Sequence, residues 1–499
     1  MRLAVLALLT ACSAGAPEKA GPTDDAPDTD LPPDTDAPGD TDETEVPDDT
    51  DVPEEPTDTG TALVPLTSDL CPALPDTDGD RIPDEVEIRF TGTDPAVWDG
   101  GCTSWRRTDV NDATNYSGTA LAIADLDADG DLDVSSAHAS YAVAWQANAG
   151  AGATWDPQVR LWELRLDLPG YNQPLDPTSI LAGDVDGDGD PDLVAGSMQD
   201  VGWIENLGGG VFGAGQVIEP FVSWPFDLAD LDADGDLDIA AWLTQTDELG
   251  WHENLGGGGF APVAALTGQG AYGPGDVGDV DGDGDLDMAY ADQDAGKIGW
   301  FENPGLGAGK WPKHALPLAL PRVIRLHDAD QDGDLDLVAV DGLGQIHVAE
   351  NGFGGLANPV SSAGPPGGDG AGLGAGDLDG DGDSDLLLTR WTQTLEWIPA
   401  GGGALVRPVV LDALVHTPRT VLAADMDGDG APDAVADTYD GIAWWRNPLR
   451  DDTDGDGIPD DLEQCVLGSD RTLADSDGGG TPDGDELCAL TDPADPADD

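Results

Sequence analysis

Between residues 104 and 448, short apolar runs alternate with tight polar turns, and nowhere does an apolar face recur at the 3.6-residue period of a helix. Ala120-Leu121-Ala122-Ile123 and Val323-Ile324-Arg325-Leu326 each precede an acidic turn, while Leu193-Val194-Ala195 and Leu337-Val338-Ala339-Val340 each follow one. Two such runs joined by a Gly-containing turn predict a β-hairpin. A third run ends in Trp-x-x-Asn, as at Trp145 to Asn148, Trp203 to Asn206, Trp251 to Asn254 and Trp300 to Asn303. A Gly-rich turn and a fourth run follow, predicted at Val211-Phe212 and at Phe260-Ala261-Pro262-Val263. Four short strands per unit is the content of one blade of a β-propeller.

The acidic turn sets the period. The pattern D-x-D-x-D-G-D-x-D begins at Asp125, Asp184, Asp230, Asp279, Asp328 and Asp377, and a seventh copy at Asp425 has Ala431 at its seventh position. Successive intervals are 59, 46, 49, 49, 49 and 48 residues. Self-similarity at this spacing predicts an all-β, seven-bladed propeller over residues 104–448. The intervals between loops supply one fourth strand too few, so the missing one is expected from before the first loop, at Trp105-Arg106-Arg107-Thr108-Asp109-Val110. A terminal strand placed there would complete the last blade and leave no open sheet edge.

Aspartates at alternate positions of a tight turn aim several carboxylates at one centre, and the Gly permits the bend. Two such charges about 4 Å apart repel by roughly 4 kcal/mol at an effective dielectric near 20. Oxygen donors without His or Cys favour calcium or magnesium, and a flexible cage of many carboxylates favours calcium. The candidate ligands are Asp125, Asp127, Asp129, Asp131 and Asp133 in loop 1; Asp184, Asp186, Asp188, Asp190 and Asp192 in loop 2; and Asp230, Asp232, Asp234, Asp236 and Asp238 in loop 3. Loop 4 offers Asp279, Asp281, Asp283, Asp285 and Asp287, and loop 5 offers Asp328, Asp330, Asp332, Asp334 and Asp336. Loop 6 offers Asp377, Asp379, Asp381, Asp383 and Asp385, and loop 7 offers Asp425, Asp427, Asp429, Ala431 and Asp433.

Loop, spacing and copy number together resemble the FG-GAP or VCBS repeats of integrin α-chain propellers and of many bacterial surface proteins. The resemblance implies calcium held by the side chains at positions one, three, five and nine of each loop, with the seventh residue giving its backbone oxygen. On that basis loop 7, despite Ala431, is expected to bind as its siblings do.

A second loop type flanks the repeats. Asp76, Asp78, Asp80, Ile82, Asp84 and Glu87 on one side, and Asp452, Asp454, Asp456, Ile458, Asp460 and Glu463 on the other, have EF-hand-like spacing. In wording these segments resemble thrombospondin type 3 repeats. A degenerate copy at Asp475, Asp477, Asp483 and Glu486 has Gly479 where the fifth-position acid belongs, and is expected to be weak. Cys71 with Cys102, and Cys465 with Cys488, bracket these modules (residues 66–103 and 449–499) and are expected to form local disulfides in an exported chain.

The amino terminus reads as an export signal: Arg2, an apolar run to Leu9, then Leu9-Thr10-Ala11-Cys12. That ending resembles a bacterial lipobox, which implies cleavage after residue 11 and a lipid on Cys12 that holds the chain to the bacterial envelope, at the outer membrane and cell surface. Residues 12–65 are almost wholly Pro, Asp, Glu, Thr, Gly and Ala, a composition expected to form a disordered acidic tether. The net charge of -82 over 499 residues argues against nucleic acid or an anionic membrane surface as a direct partner.

Catalytic constellations are not apparent. His138, His252, His314, His327, His347 and His416 form no metal-ligand spacing and are expected to be ordinary surface or strand residues. The recurrent Trp203, Trp251, Trp300, Trp397 and Trp445 are expected to pack between blades. The less regular Trp162, Trp224, Tyr272, Trp311 and Trp391 are better candidates for a ligand face. The expectation is a non-enzymatic surface binding or adhesion module for an extracellular glycan or protein; a polysaccharide-active lyase or hydrolase and a passive envelope scaffold are the alternatives.

Overall fold

The computed structural model of the chain describes residues 105–110 and most of 118–493. The signal, the tether, the first flanking module with Cys71 and Cys102, and Tyr272, Asp381, Asp383, Asp460 and Cys465 lie outside the described residues.

Among the described residues there are seven four-stranded antiparallel sheets, with strands in sequence order within six of them. The second blade is representative: Ser179–Gly183, Asp192–Gly196, Asp200–Ile204 and Gln216–Pro220. Its middle two strands are buried along their whole length, as Val/Ile/Ala-rich runs covered on both faces should be. First strands of successive blades touch one another, which places them around the axis. The fold is therefore the all-β, seven-bladed propeller that the periodicity predicts.

The seventh sheet is built from Val421–Ala424, Asp433–Thr438, Gly441–Arg446 and, as its outer strand, Arg106–Asp109. Arg106 pairs with Arg446 and Asp109 with Ala443, so the amino-terminal strand completes the last blade. Val110 extends the contact by donating its amide to Ile442 O.

The predicted fourth strands need correcting. Phe212 and Phe260 make only isolated bridges, to Asn206 and Asn254. The outer strands come later, at Gln216–Pro220 and Ala264–Ala265. The aromatic ring is spent on packing instead: Phe212 lies 5.5 Å from Trp145 of the preceding blade.

Tryptophan packing between blades is visible at three joints. A Cβ on Gly210 would lie 2.7 Å from Trp145, one on Gly258 2.2 Å from Trp203, and one on Gly152 2.4 Å from Trp444. Each indole of one blade thus occupies the space over a Gly of the next. The member of this series in the last blade is Trp444, not Trp445: Val435 pairs with Trp444 as Val194 pairs with Trp203. Trp445 points the other way, into a core with Trp105, Leu387 and Trp397, and donates Nε1 to Asp412 at 3.0 Å.

After the propeller the chain forms the loop at Asp452 and a short helix, α1 (Asp483–Ala489), whose first turn carries Asp483, Asp485 and Glu486. Cys488 on α1 is disulfide-bonded. A Cβ on Gly484 would meet Asp456 O at 2.3 Å, so the helix start lies directly against the preceding acidic loop.

Candidate metal centres

Each acidic loop joins the first strand of a blade to the second, and its ninth residue opens the second strand. That residue (Asp133, Asp192, Asp238, Asp287, Asp336, Asp385 or Asp433) is fully buried in every blade. One of its oxygens accepts the amide of loop position two, from Leu126 at 2.9 Å to Met426 at 2.9 Å. The other accepts the backbone amide that follows the third strand, as Asp192 does from Asn206 at 2.7 Å. A buried carboxylate is tolerated because two N–H groups face it, yet burial still prevails: it pushes Asp133, Asp238 and Asp287 to about 7, Asp192 and Asp336 to about 6, and Asp433 to about 8.

The Asn at the end of the third strand ties neighbouring loops together. Its side-chain amide donates to the position-two carbonyl of the preceding blade: Asn206 to Leu126 O at 2.8 Å, Asn254 to Val185 O at 2.7 Å, Asn303 to Leu231 O at 2.8 Å. Asn351, Asn447 and Asn148 repeat the bond to Val280, Leu378 and Met426. Blade 6 has Ala400 at this place, and its amide still meets Asp385 at 2.8 Å, but it has no side-chain donor. The joint between blades 5 and 6 is crossed instead by Arg325 to Leu373 O, His327 to Ser384 O and Arg390 to Gly344 O.

Within a loop the first aspartate folds the turn. Asp184 accepts from Gly187 at 2.9 Å and Gly189 at 3.0 Å, and these glycines take φ of +78° and +98°. In loops 1 and 3 the equivalent of Gly187 is Ala128 or Ala233, held at φ near +60°.

The turn brings the expected ligands together. Asp125, Asp127 and Asp133 each place a carboxylate oxygen within 4.8 Å of the others, and so do Asp184, Asp186 and Asp192, and Asp279, Asp281 and Asp287. In loops 3 and 5 the trios are Asp230, Asp232, Asp234 and Asp328, Asp330, Asp332. Several oxygens there are buried and meet no donor: Oδ1 of Asp127, Asp232, Asp328 and Asp334, and Oδ2 of Asp456 in the carboxy-terminal loop. Leaving a carboxylate oxygen buried and unsatisfied is costly. A hard divalent cation is what such a donor set fits, and these clusters could bind one. Asp127, Asp186, Asp232 and Asp281 are raised above the usual carboxylate range by burial and then by the other acids of the loop. Glu205, Glu253 and Glu302, from the end of the third strand, add to that repulsion on Asp186, Asp232 and Asp281. This glutamate is absent from the nine-residue loop pattern, and its recurrence just before the Asn is the signal that marks it in the sequence.

Loop 7 differs from its siblings. Arg446 occupies the place of that glutamate, and its guanidinium reaches Asp427 Oδ2 at 2.6 Å and Asp429 Oδ2 at 2.8 Å. It also pairs with Asp451 at 2.6 Å.

The degenerate loop at Asp475 keeps the turn: Asp475 accepts from Gly478 and Gly480, and Asp483 accepts the Ser476 amide at 2.9 Å, the bond that position nine makes in every propeller loop. Asp483 also raises the pKa of Asp456, which is pushed to about 6 chiefly by burial.

Of the aromatics proposed for a ligand face, Trp311 is buried at 2% exposure beside Trp251 and Tyr290, so that assignment is corrected. Trp224 packs on Trp242 at 5.8 Å. Trp391, 47% exposed, is available. Four histidines placed by sequence at the surface or in strands, His138, His252, His327 and His347, are buried strand residues.

Among the described residues no helix is long and apolar enough to cross a membrane. No curated protein matches the sequence. The fold is similar to BBS1N in complex with ARL6DN (12% identity, 70% of this chain and 98% of that one, TM-score 0.49). It is also similar to an Agrocybe aegerita lectin that recognises non-reducing terminal N-acetylglucosamine (18%, 70% and 87%, TM-score 0.44). The FG-GAP-like repeat model matches residues 184–241, 230–290 and 328–388, so this seven-bladed β-propeller contains three recognisable FG-GAP-like repeats.

Proposed function

We propose that the chain is an exported, lipid-anchored propeller whose acidic loops hold structural calcium and whose opposite face binds an extracellular glycan or protein. The observation that carries the binding assignment is a set of exposed apolar residues at the end of the ring away from the acidic loops, two in turns between second and third strands (Leu343, Trp391) and one just before a first strand (Leu320). Trp391 is 47% exposed, Leu343 63% and Leu320 51%. Gly342 donates its amide to Leu320 O at 2.8 Å, and the guanidinium of Arg390, the residue before Trp391, donates to Gly344 O across the joint between blades 5 and 6. An exposed indole beside aliphatic side chains suits a sugar face or an apolar side chain of a partner.

Calcium is supported by the oxygen-only donor set and the orphaned carboxylate oxygens, and a structural role by the recurrence of the acidic loop from blade to blade. Extracellular modules bind calcium with dissociation constants of about 0.1–1 mM, concentrations met outside a cell. FG-GAP-like repeats are typical of extracellular proteins, which agrees with the export signal and the lipid on Cys12. Local pairing of Cys71 with Cys102 and of Cys465 with Cys488 belongs to the same reading.

The test is a glycan-array and envelope-protein screen of the full chain, with and without chelator, alongside product analysis. Calcium-dependent retention that Trp391→Ala abolishes without changing the melting temperature is the expected result. Release of cleaved product, or retention indifferent to Trp391, overturns the assignment.

A further inference from the structure

Loops 2 to 5 each present five aspartates and a glutamate (Glu205, Glu253, Glu302 or Glu350), the glutamate standing immediately before the Asn that links the blades. Loop 7 departs from this at two independent places. Ala431 removes the aspartate at position seven, and Arg446 replaces the glutamate. Both changes remove negative charge, and the second installs a permanent cation where the others add a carboxylate.

The geometry shows what that cation does. Asp427 and Asp429 are positions three and five, the acids that in the other loops surround the centre. In loop 7 Asp427 Oδ2 is taken by Arg446 Nε at 2.6 Å and Asp429 Oδ2 by Nη2 at 2.8 Å. Their remaining oxygens are occupied as well: Asp427 Oδ1 accepts the Asp429 amide at 3.3 Å and Asp429 Oδ1 the Ala431 amide at 2.9 Å. Those two turn bonds recur in loops 2, 4 and 5, so what sets loop 7 apart is the guanidinium on both Oδ2 atoms. The guanidinium also forks onto Asp451, at 2.6 and 2.8 Å, tying the chain that leaves the propeller to the same loop. Arginine cannot lose its proton in this setting, and the surrounding carboxylates raise its pKa further.

We infer that loop 7 is not a metal site: Arg446 is its resident cation, and the blade that closes the ring is held without calcium. The inference rests on the calcium reading of the other loops. It gives the closing blade a different dependence from its siblings. The strand bearing Arg446 is the one that pairs with Arg106–Asp109, so closure persists when divalent ions are withdrawn.

The experiment is anomalous diffraction from crystals of the full chain soaked with terbium(III) as a calcium stand-in, for the natural sequence and for Arg446→Gln. Ions in loops 1 to 5, none in loop 7, and an added ion in loop 7 of Arg446→Gln is the expected result. An ion in loop 7 of the natural protein overturns the inference while leaving the calcium reading intact, as does an Arg446→Gln protein that gains none. Ions in no loop overturn the calcium reading and this inference with it. If Arg446→Gln does not fold, the map of the natural protein decides alone. Hydrogen exchange in chelator gives a second measure: amides of Gly441–Arg446 stay protected while those opening the second strands of blades 2 to 5 lose protection; equal loss in all blades overturns the inference.

Discussion

Asn148 donates its side-chain amide to the carbonyl of Met426 at 2.8 Å, joining the first blade to the last across 278 positions of sequence. The bond is one of a set that runs from loop to loop, and it links the acidic turns to one another directly. Removing such a donor leaves a buried carbonyl unsatisfied, which costs about 1–3 kcal/mol. Asn303→Ala is therefore expected to lower stability by about that amount. Urea unfolding checks this, and a midpoint unchanged from the natural protein would contradict it.

The glycines beneath the indoles give a sharper comparison. Gly258 and Gly257 have similar φ, +71° and +64°, but a Cβ on Gly258 would strike Trp203 and one on Gly257 would meet open space. Gly257→Ala bears only the backbone strain of about 1 kcal/mol. Gly258→Ala adds overpacking of about 1–3 kcal/mol. Calorimetry on the two variants should rank them in that order, and equal losses would mean that Trp203 does not depend on its glycine.

The reverse substitution should help at Ala233, a non-glycine residue held at φ +58° in loop 3. Ala233→Gly relieves up to about 1 kcal/mol of left-handed strain. It is expected to raise the melting temperature slightly in chelator and in calcium alike.

Acidity should act in opposite directions with and without metal. Burial pushes six of the position-nine carboxyls to about 6 to 8, above the value of about 4 for an unfolded aspartate. A raised carboxyl contributes stability that is full below pH 4 and lost as pH rises through 6 to 8. Moving one carboxyl to about 7 corresponds to about 4 kcal/mol at most. His138 works the other way: burial lowers it to about 4, so its contribution is lost as pH falls through 6.5. One histidine is set against six carboxyls, so the chelated protein should melt higher at pH 5 than at pH 8. Saturating calcium selects the ionised form, and should flatten or invert that slope. A chelated protein more stable at pH 8 would show that these carboxyls are not buried as described.

Much of this was legible in the chain. The period of the loops gave the blade count, and counting strands located the closing one at Trp105 to Val110. What escaped was decided by register. Trp444 and Trp445 are adjacent, and only the pairing of Val435 shows which of them faces the next blade. Phe212 and Phe260 look like strand residues, yet Phe212 packs on Trp145 and Phe260 against the cluster that holds Trp203, and the outer strand forms farther along. Nothing local in the sequence marks Arg446, because the acids it meets lie 17 and 19 positions earlier, brought to it by a hairpin.

Ala400 carries a consequence for how such a ring can grow. Where the Asn link is present, each repeat offers its neighbours the same donor and the same acceptor, so a duplicated unit inserted between blades 2 and 4 would find compatible edges on either side. Blades 5 and 6 are instead matched by Arg325, His327 and Arg390, side chains with no counterpart elsewhere in the circle. They form an indivisible couple, and recombination that parts them leaves two edges that no other repeat can complete.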